Sequence, residues 1–434
     1  MTRPQYIFSQ TAMLVALSVL SGAAAASTRL APDWVKQIPP GTWAEVSLNT
    51  LADVNPARDP EVNPNLPYSP PWLDNQPAVL EAWNGGAFAA GYGVSGALIV
   101  FGGGHAAYYG NEVYAFDLDS RRWQRLTNPY PNPKFPVDEG IWPDGTPSVP
   151  HTYDQIDYHE ATNSLVVMRT EYDNVGWTSS PVVAMFSFDN LRPPTSNPNR
   201  DLNKLNWRRS SLNAGNYTNV GGWSVYDSSR DVFWANGGAG TNSFVKFDPK
   251  SAQSDGRFGS FENFAPRSGV THAVAAYDPT NDTIVFTTFR LAPEVWAIDL
   301  ARPGAGSSAN VKLSQRGTPP PLEESHGWEW SPARRAFLYY RRGAGVFEFK
   351  QHGTSWQTDA WQWSELTSPQ NVIVPVEQRV NGTHGVFSKF RIASFMDAEI
   401  ALVVTRVDKP VYAFRIPEAQ TNRVPRQPTQ LEAR

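Results

Sequence analysis

The feature that most constrains the fold is a pair of short β-type segments that recurs six times along the chain. In each pair, an apolar segment of three or four residues precedes an alternating segment that ends in an acidic or turn residue. Equivalent positions in the alternating segments are spaced by 72, 59, 51, 51 and 65 residues; they are Tyr114, Phe186, Val245, Trp296, Phe347 and Tyr412. Long amphipathic helical patterns are absent, so the chain is predicted to be all-β. A repeat of roughly 50 residues with loop insertions predicts a ring of β-sheet blades.

The clearest repeat lies at residues 96–126. An apolar strand at 98–101 runs into Gly102-Gly103-Gly104, which breaks the strand and allows close backbone approach. A second strand contains Tyr114, and Trp123 opens a third strand nine residues later. This order of strand, diglycine, Tyr and Trp resembles a blade of the kelch and galactose-oxidase-like β-propellers. The resemblance implies a propeller of four-stranded antiparallel blades around a central channel.

Six blades are visible in the sequence, and a seventh remains an alternative because galactose-oxidase-like proteins commonly have seven. The Pro-rich run at 55–77 is a poor place for the strands of such a blade. Residues 42–46 read as an outermost strand without a blade of its own, whereas the last blade, at 385–414, lacks an outer strand. The sequence therefore predicts that the N-terminal strand closes the ring by joining the last blade.

The domain organisation follows from the repeats and the termini. Residues 1–26 have a weakly positive start, an apolar run at 12–20 and a small-residue site, as a signal peptide does. We expect an N-terminal segment at 27–83 with the closing strand and the Pro-rich loop, a propeller at 84–416 and a polar tail at 417–434. With no cysteine in the chain, the expected location is periplasmic or secreted, with no membrane partner and a monomeric state.

The composition of the chain bears on which kinds of binding partner are expected. The formal net charge of −4 gives no reason to expect a nucleic-acid partner. Aromatic residues make up 12% of the chain and include 16 tryptophans. Aromatic rings stack on sugars, but they also fill the cores between propeller blades. A glycan partner is therefore compatible with the composition without being required by it.

Polar residues fall at two equivalent places in the repeats. In a four-stranded meander, the start of the innermost strand and the loop after the second strand lie at the same end of the channel. His151, His272, His326 and His384 precede predicted innermost strands, and His105 follows the diglycine of the first blade. Arginines and one asparagine end the second strands; they include Arg169, Asn236, Arg290, Arg341 and Arg406. These side chains would form an electropositive funnel that favours an anionic ligand, although histidines bonded to backbone groups and arginines in inter-blade ion pairs would give the same pattern.

Arg, His and Tyr together suit β-elimination on a uronic-acid polysaccharide without a cofactor. A cation neutralises the carboxylate, a base removes the α-proton and an acid protonates the leaving oxygen. The exported propeller and these residue types are similar to the ulvan-lyase type of polysaccharide lyase, which implies His/Tyr/Arg catalysis. On that resemblance the candidate catalytic residues are His105, Tyr108, Tyr109, His151, Arg169, His272 and Arg290. The candidate substrate-binding residues are Asn111, Tyr172, Asn236, His326, Arg341, His384 and Arg406.

Other functions remain open. The histidines could hold Zn or Cu, but short-spaced ligand pairs are absent from the sequence. Galactose-oxidase chemistry needs a Tyr–Cys crosslink, and the chain has no cysteine. Glycoside hydrolysis would use the pairs Glu171 with Asp173 or Glu323 with Glu324. A non-catalytic carbohydrate- or protein-binding module needs only an aromatic rim, for which Trp142 and Trp177 are the candidates.

Overall fold

The computed structural model shows an all-β chain with six separate antiparallel sheets. It describes residues 28–59, 75–103, 108–131, 140–170, 182–193, 201–211, 221–237, 243–252, 254, 256–265, 272–288, 294–320, 326–341, 343, 345–375 and 385–419. The predicted signal peptide at 1–26, most of the Pro-rich loop and the tail from residue 420 lie outside these residues. No helix in the described ranges has the length and apolar character needed to cross a membrane.

Short strands separated by turns account for nearly all of the regular structure. In chain order the strands are β1 (Trp43–Glu45), β2 (Gly86–Ala89), β3 (Ala97–Val100), β4 (Tyr114–Asp117), β5 (Arg122–Arg125), β6 (Ile156–His159), β7 (Ser164–Val167), β8 (Ala184–Ser187), β9 (Trp207–Arg209), β10 (Trp223–Asp227), β11 (Val232–Asn236), β12 (Phe244–Ala252), β13 (Phe258–Phe264), β14 (Val274–Asp278), β15 (Thr283–Thr288), β16 (Glu294–Asp299), β17 (Val311–Lys312), β18 (Gln315–Arg316), β19 (Gly327–Ser331), β20 (Ala336–Tyr340), β21 (Val346–Gln351), β22 (Trp361–Glu365), β23 (Arg391–Ser394), β24 (Glu399–Val403) and β25 (Tyr412–Arg415). The helices are α1 (Asp33–Lys36) and α2 (Ala78–Glu81), with single 3₁₀ turns at Leu51–Val54, Pro56–Arg58, Leu202–Asn206, Pro303–Ala305, Ser307–Ala309 and Phe387–Lys389.

The six sheets are the six blades of a β-propeller, as the repeats predicted. Blades 1 to 4 are the consecutive meanders β2–β5, β6–β9, β10–β13 and β14–β17. Blade 5 is the meander β19–β22, to which β18 adds a fifth, parallel strand. Blade 6 has the order β1-β25-β24-β23. The described residues contain no seventh sheet, so the six-blade alternative holds for this part of the chain.

The N-terminal strand closes the ring, as the sequence predicted. Strand β1 pairs antiparallel with β25, placing Trp43 opposite Phe414. The preceding segment also reaches blade 1, because the Trp34 indole N–H donates to the carbonyl oxygen of Leu118 at 3.0 Å. Residues from the start of the chain therefore join the last blade to the first.

The core lies between the blades and within their sheets. Strands β3, β7, β11 and β20 are buried along their whole length, which explains their continuous apolar sequence. Many of the tryptophans fill this core; Trp123, Trp223, Trp234 and Trp361 are among the most buried large side chains. Trp142, a candidate for stacking on a sugar, is also buried and stacks on Tyr130 at 5.1 Å. The aromatic content thus serves packing at these positions.

Candidate functional site

The strand register brings the two kinds of predicted position to one end of the channel. Gly86, at the start of β2, pairs with Val100, at the end of β3. In blade 2, Ile156 at the start of β6 pairs with Val167 at the end of β7. The residues just before the first strand and just after the second strand are therefore neighbours. We call this end of the ring the channel end.

Backbone hydrogen bonds connect neighbouring blades around the channel end. The N–H of Tyr153 in blade 2 donates to the carbonyl of Trp83 in blade 1 at 2.8 Å. The N–H of His272 in blade 4 donates to the carbonyl of Gly221 in blade 3 at 2.9 Å. These contacts fix the segments that lead into the innermost strands relative to each other, independently of their side chains.

The same segments adopt a left-handed backbone in which side chains are rarely found. The φ angles are 53° at Trp83, 46° at Tyr153, 60° at His272 and 46° at Phe387, and glycine takes the equivalent place in blade 3 with 73° at Gly221. A bulky residue in this region costs roughly 1–3 kcal/mol, so the surrounding contacts must enforce it. Such strain is often found where a structure holds side chains for a function.

Four side chains gather around Tyr153. The His151 ring lies 5.2 Å from the Tyr153 ring, and the His272 ring stacks on it at 5.5 Å. The guanidinium carbon of Arg169 lies 5.9 Å from the centre of the same ring, within cation–π range. Phe387 completes the group with an edge contact to Tyr153 at 5.7 Å. We call these five residues the Tyr153 cluster.

The cluster places a hydrogen-bonded Tyr–His pair beside a guanidinium. The Tyr153 hydroxyl and His151 Nδ1 are 3.3 Å apart, a distance at which the hydroxyl donates to a neutral imidazole. His151 and Tyr153 are each 1% exposed, Arg169 is fully buried and His272 is 8% exposed. A guanidinium can neutralise a carboxylate, and adjacent imidazoles and a phenol can transfer a proton.

A second charged network, centred on Arg391, joins the innermost strands of several blades. Arg391, on the innermost strand of blade 6, pairs with Glu329 of blade 5 at 2.6 Å and with Asp157 of blade 2 at 3.3 Å. Its Nε also donates to the carbonyl of Gly86 in blade 1 at 3.0 Å. One guanidinium thus contacts three other innermost strands and, with its own strand, links four of the six.

Two acids near Arg391, Asp154 and Glu329, have raised pKa values. Burial raises the pKa of Asp154 well above its usual range, against the opposing effect of Arg391. Burial likewise raises the pKa of Glu329. Asp154 accepts a hydrogen bond from the backbone N–H of Ala275 in blade 4 at 2.9 Å. Asp154 thus links the segment that carries Tyr153 to the innermost strand of blade 4.

Other predicted residues lie apart from the Tyr153 cluster. His326 shares a hydrogen bond with the Thr287 hydroxyl at 2.8 Å and packs against the Tyr339 ring at 4.6 Å, between blades 4 and 5. Asn236 is buried and donates to the carbonyl of Ser243 at 3.3 Å. Arg341 is partly exposed just after β20 and Arg406 is ion-paired with Asp408, both at the channel end.

The predicted residues of blade 1 lie inside its loops. The Tyr108 hydroxyl donates to Glu112 Oε1 at 2.9 Å, and both side chains are buried. Burial, followed by the Glu112 carboxylate, raises the pKa of Tyr108 well above its usual range. Asn111 donates to Thr146 and to the carbonyl of Pro147, and Tyr109 is 5% exposed. In this structure these side chains hold loops together.

Several sequence candidates lie outside the described residues. They are His105, Tyr172, Arg290 and His384, with Glu171, Asp173, Trp177, Glu323 and Glu324 from the alternatives. Within the described ranges, no three His, Asp or Glu side chains come together in a way that could hold a metal ion.

Sequence reasoning missed Tyr153 and Arg391. Tyr153 follows His151 by two residues in the segment Pro150-His151-Thr152-Tyr153-Asp154, a signal that could have been used. Arg391 begins an innermost strand, and a charged residue that is buried at such a position suggests an ionic partner.

The fold defines the class of the protein as a six-bladed β-propeller. A scan against protein-family models finds no match, and a search of curated proteins finds none either. A search of solved structures gives 100 matching chains. One is the crystal structure of the major Malassezia sympodialis allergen Mala s 1, with 8% sequence identity, a TM-score of 0.37, and coverage of 79% of this chain and 94% of that one. Because this similarity is too weak to carry an argument, the propeller assignment rests on the six sheets themselves.

Proposed function

We propose that this protein is a cofactor-free polysaccharide lyase that acts by β-elimination on a uronic-acid glycan at the channel end. The observation that carries the proposal is the contact between Tyr153 and His151, with Arg169 over the same tyrosine ring. These three groups match the needs of the reaction: a proton-transfer pair and a fixed cation for the substrate carboxylate.

The proposed reaction assigns one role to each group. Arg169 neutralises the uronate carboxylate and so stabilises the enolate that forms when the α-proton is removed. The hydrogen-bonded pair Tyr153 and His151 takes that proton and returns one to the β-oxygen as its bond to carbon breaks. The products are an unsaturated uronate and a new chain end. His272, stacked on Tyr153, keeps the phenol ring in place.

This assignment differs from the sequence prediction in its tyrosine. The sequence named Tyr108 and Tyr109 as the catalytic tyrosines, but the Tyr108 hydroxyl is bound to Glu112 inside blade 1 and Tyr109 is 5% exposed in the same loop. Tyr153 takes that role because it lies between two imidazoles and a guanidinium. His105 remains a candidate whose position lies outside the described residues.

A non-catalytic binding module is the second candidate. It is favoured by the burial of the reacting groups, since His151 and Tyr153 are each only 1% exposed. A module would hold an anionic glycan at the channel end through charge alone and would need no access to the phenol.

An assay of unsaturated-product absorbance with a panel of soluble uronate polysaccharides tests the proposal. We expect activity on at least one polymer, a loss of about 100-fold or more in Tyr153→Phe, and a similar loss in Arg169→Gln. Tyr340→Phe is the matched control, because it removes another buried hydroxyl, one that donates to the carbonyl of Pro375. If the protein binds a polymer but no polymer gives an absorbance change, the lyase proposal is wrong and the non-catalytic binding module is favoured.

We further propose that the chain is an exported member of the kelch and galactose-oxidase-like propellers and acts in the periplasm or outside the cell. Support comes from the order of strand, diglycine, Tyr and Trp in the first blade and from the signal-like start of the sequence. N-terminal sequencing of protein from the periplasmic fraction would show cleavage near Ala26 if the proposal holds, and an intact Met1 if it does not.

A further inference from the structure

A cleft lies at the outer rim of blade 6, apart from the Tyr153 cluster. Its volume is about 490 Å³. Its lining residues are Glu45, Val374, Arg406, Asp408, Lys409, Pro410 and Tyr412. Sites for small ligands in proteins have volumes of roughly 300–1,000 Å³. The cleft therefore has the dimensions of a small-ligand site.

The floor of the cleft belongs to the strand pair that closes the ring. Glu45 ends β1 and lies opposite Tyr412, the first residue of β25. Arg406 and Asp408 come from the loop after β24, and Val374 comes from the segment after β22 of blade 5. By the strand direction, the cleft opens at the same end of the propeller as the Tyr153 cluster.

A bidentate ion pair forms the polar part of the cleft. Arg406 Nε and Nη2 donate to the two carboxylate oxygens of Asp408, each at 2.8 Å. This geometry fixes both side chains and leaves further N–H donors and oxygen lone pairs for a ligand. Adjacent hydroxyl groups of a sugar both donate and accept, so they fit a fixed guanidinium–carboxylate pair.

The acidic and basic side chains of the cleft are equal in number, which favours an uncharged ligand. The cleft contains two acids, Glu45 and Asp408, and two bases, Arg406 and Lys409. A carboxylated sugar would gain little from this lining, in contrast to the cationic Tyr153 cluster. The remaining lining is apolar or aromatic, with Val374 39% exposed beside Pro410 and Tyr412.

We propose that this rim cleft binds an uncharged sugar unit of a glycan. The apolar lining contacts the C–H face of the sugar ring, and the Arg406–Asp408 pair binds its hydroxyl groups. The proposal does not depend on lyase activity, because it concerns a different place and a ligand without a carboxylate.

Affinity gel electrophoresis of the full protein tests the proposal, with xyloglucan, galactomannan or laminarin cast into the gel. We expect at least one of these neutral polymers to slow migration of the wild-type protein. The slowing should fall at least fivefold in Arg406→Gln, which breaks the bidentate pair, and in Val374→Glu, which places a charge on the apolar side.

Arg302→Gln is the matched control, since Arg302 forms an exposed ion pair with Asp299 at 3.1 Å away from the cleft. It should migrate as the wild type does in every gel. Far-UV circular dichroism of each variant separates loss of binding from loss of fold. Wild-type migration unaffected by all three polymers, or folded Arg406→Gln and Val374→Glu variants that bind as well as the wild type, would overturn the proposal.

Discussion

Replacing Glu112 by Gln should change the pH dependence of stability in a direction fixed by its surroundings. Glu112 is 2% exposed and holds the Tyr108 hydroxyl on Oε1, whereas its Oε2 has no hydrogen-bond partner among the described residues. Desolvation by this burial raises the pKa of Glu112 from 4.5 to about 7, despite the opposing effects of its own backbone N–H, of the Tyr108 hydrogen bond and of the more distant Arg125.

The direction of the pH effect on stability follows from whether the folded and the unfolded chain hold the Glu112 proton. A raised pKa means that the folded chain holds its proton over a range in which the unfolded chain has lost it. The stabilising effect is therefore complete below about pH 4.5 and is lost as the pH rises to about 7. At roughly 1.4 kcal/mol per pKa unit, this carboxyl accounts for a loss of about 3 kcal/mol between those limits.

Glu112→Gln removes the titration and keeps an acceptor for the Tyr108 hydroxyl. The free energy of unfolding of the variant minus that of the wild type should therefore rise by about 3 kcal/mol from pH 4 to pH 8. Urea denaturation at several pH values measures this difference, in which the effects of other titrating groups cancel. Glu418→Gln, at an exposed acid, controls for the substitution itself. A difference that stays flat across this range would refute the reasoning that burial governs Glu112.

Three further substitutions test the fold. Arg391→Gln should reduce the free energy of unfolding by about 3 kcal/mol, because it leaves the largely buried Glu329 carboxyl, 20% exposed, without its cation, and urea denaturation at pH 7 measures the loss. Trp43→Ala should cost about 3–5 kcal/mol by emptying the 3% exposed site where β1 closes the ring, and a fall in the thermal midpoint checks it. Gly103→Ala should cost about 1–3 kcal/mol, because the new Cβ would lie 2.2 Å from the carbonyl oxygen of Tyr108, and an unchanged midpoint would contradict this.

The blades could be predicted because their pattern is local. Residues 98–101 are apolar without a helical period, and Trp123 lies between the polar residues Arg122 and Gln124, so the sequence of each of these strands indicates which side chains are buried. The role of the diglycine was also predicted from the sequence. The structure confirms it, because Gly102 has a φ of 131° and Gly103 lies close to the backbone of Tyr108. Closure by β1 was predictable because one unpaired strand matched one incomplete blade.

The site could be predicted only in part because it is assembled between blades. The repeats placed His151, Arg169 and His272 at one end of the channel, and the structure brings these three to one ring. They could not show that Tyr153 is that ring, because its position depends on a left-handed backbone and on hydrogen bonds to blade 1. Nor could alternation decide whether Tyr108 faces the channel or the core, since irregular loops have no period.

The two ends of the propeller differ in how regular their turns and loops are. At the end opposite the cluster, the turn between the first two strands repeats one contact: Tyr158 donates to Asn163 and Tyr226 to Asp231, both at 2.8 Å. The second residue of each pair has a positive φ. Neighbouring blades are also joined there, since His159 contacts Asp231 at 2.7 Å.

These repeated turns explain why His159 differs in kind from His151. His159 is fixed between Thr162 and Asp231, and burial lowers its pKa, so it joins two blades as a neutral side chain. Because the regular hydrogen bonds of the turns stabilise that end, the channel end is free to carry irregular loops and strained residues such as Tyr153. The end of the blade therefore separates His159, which joins two blades, from His151, which the proposed function places in the reaction.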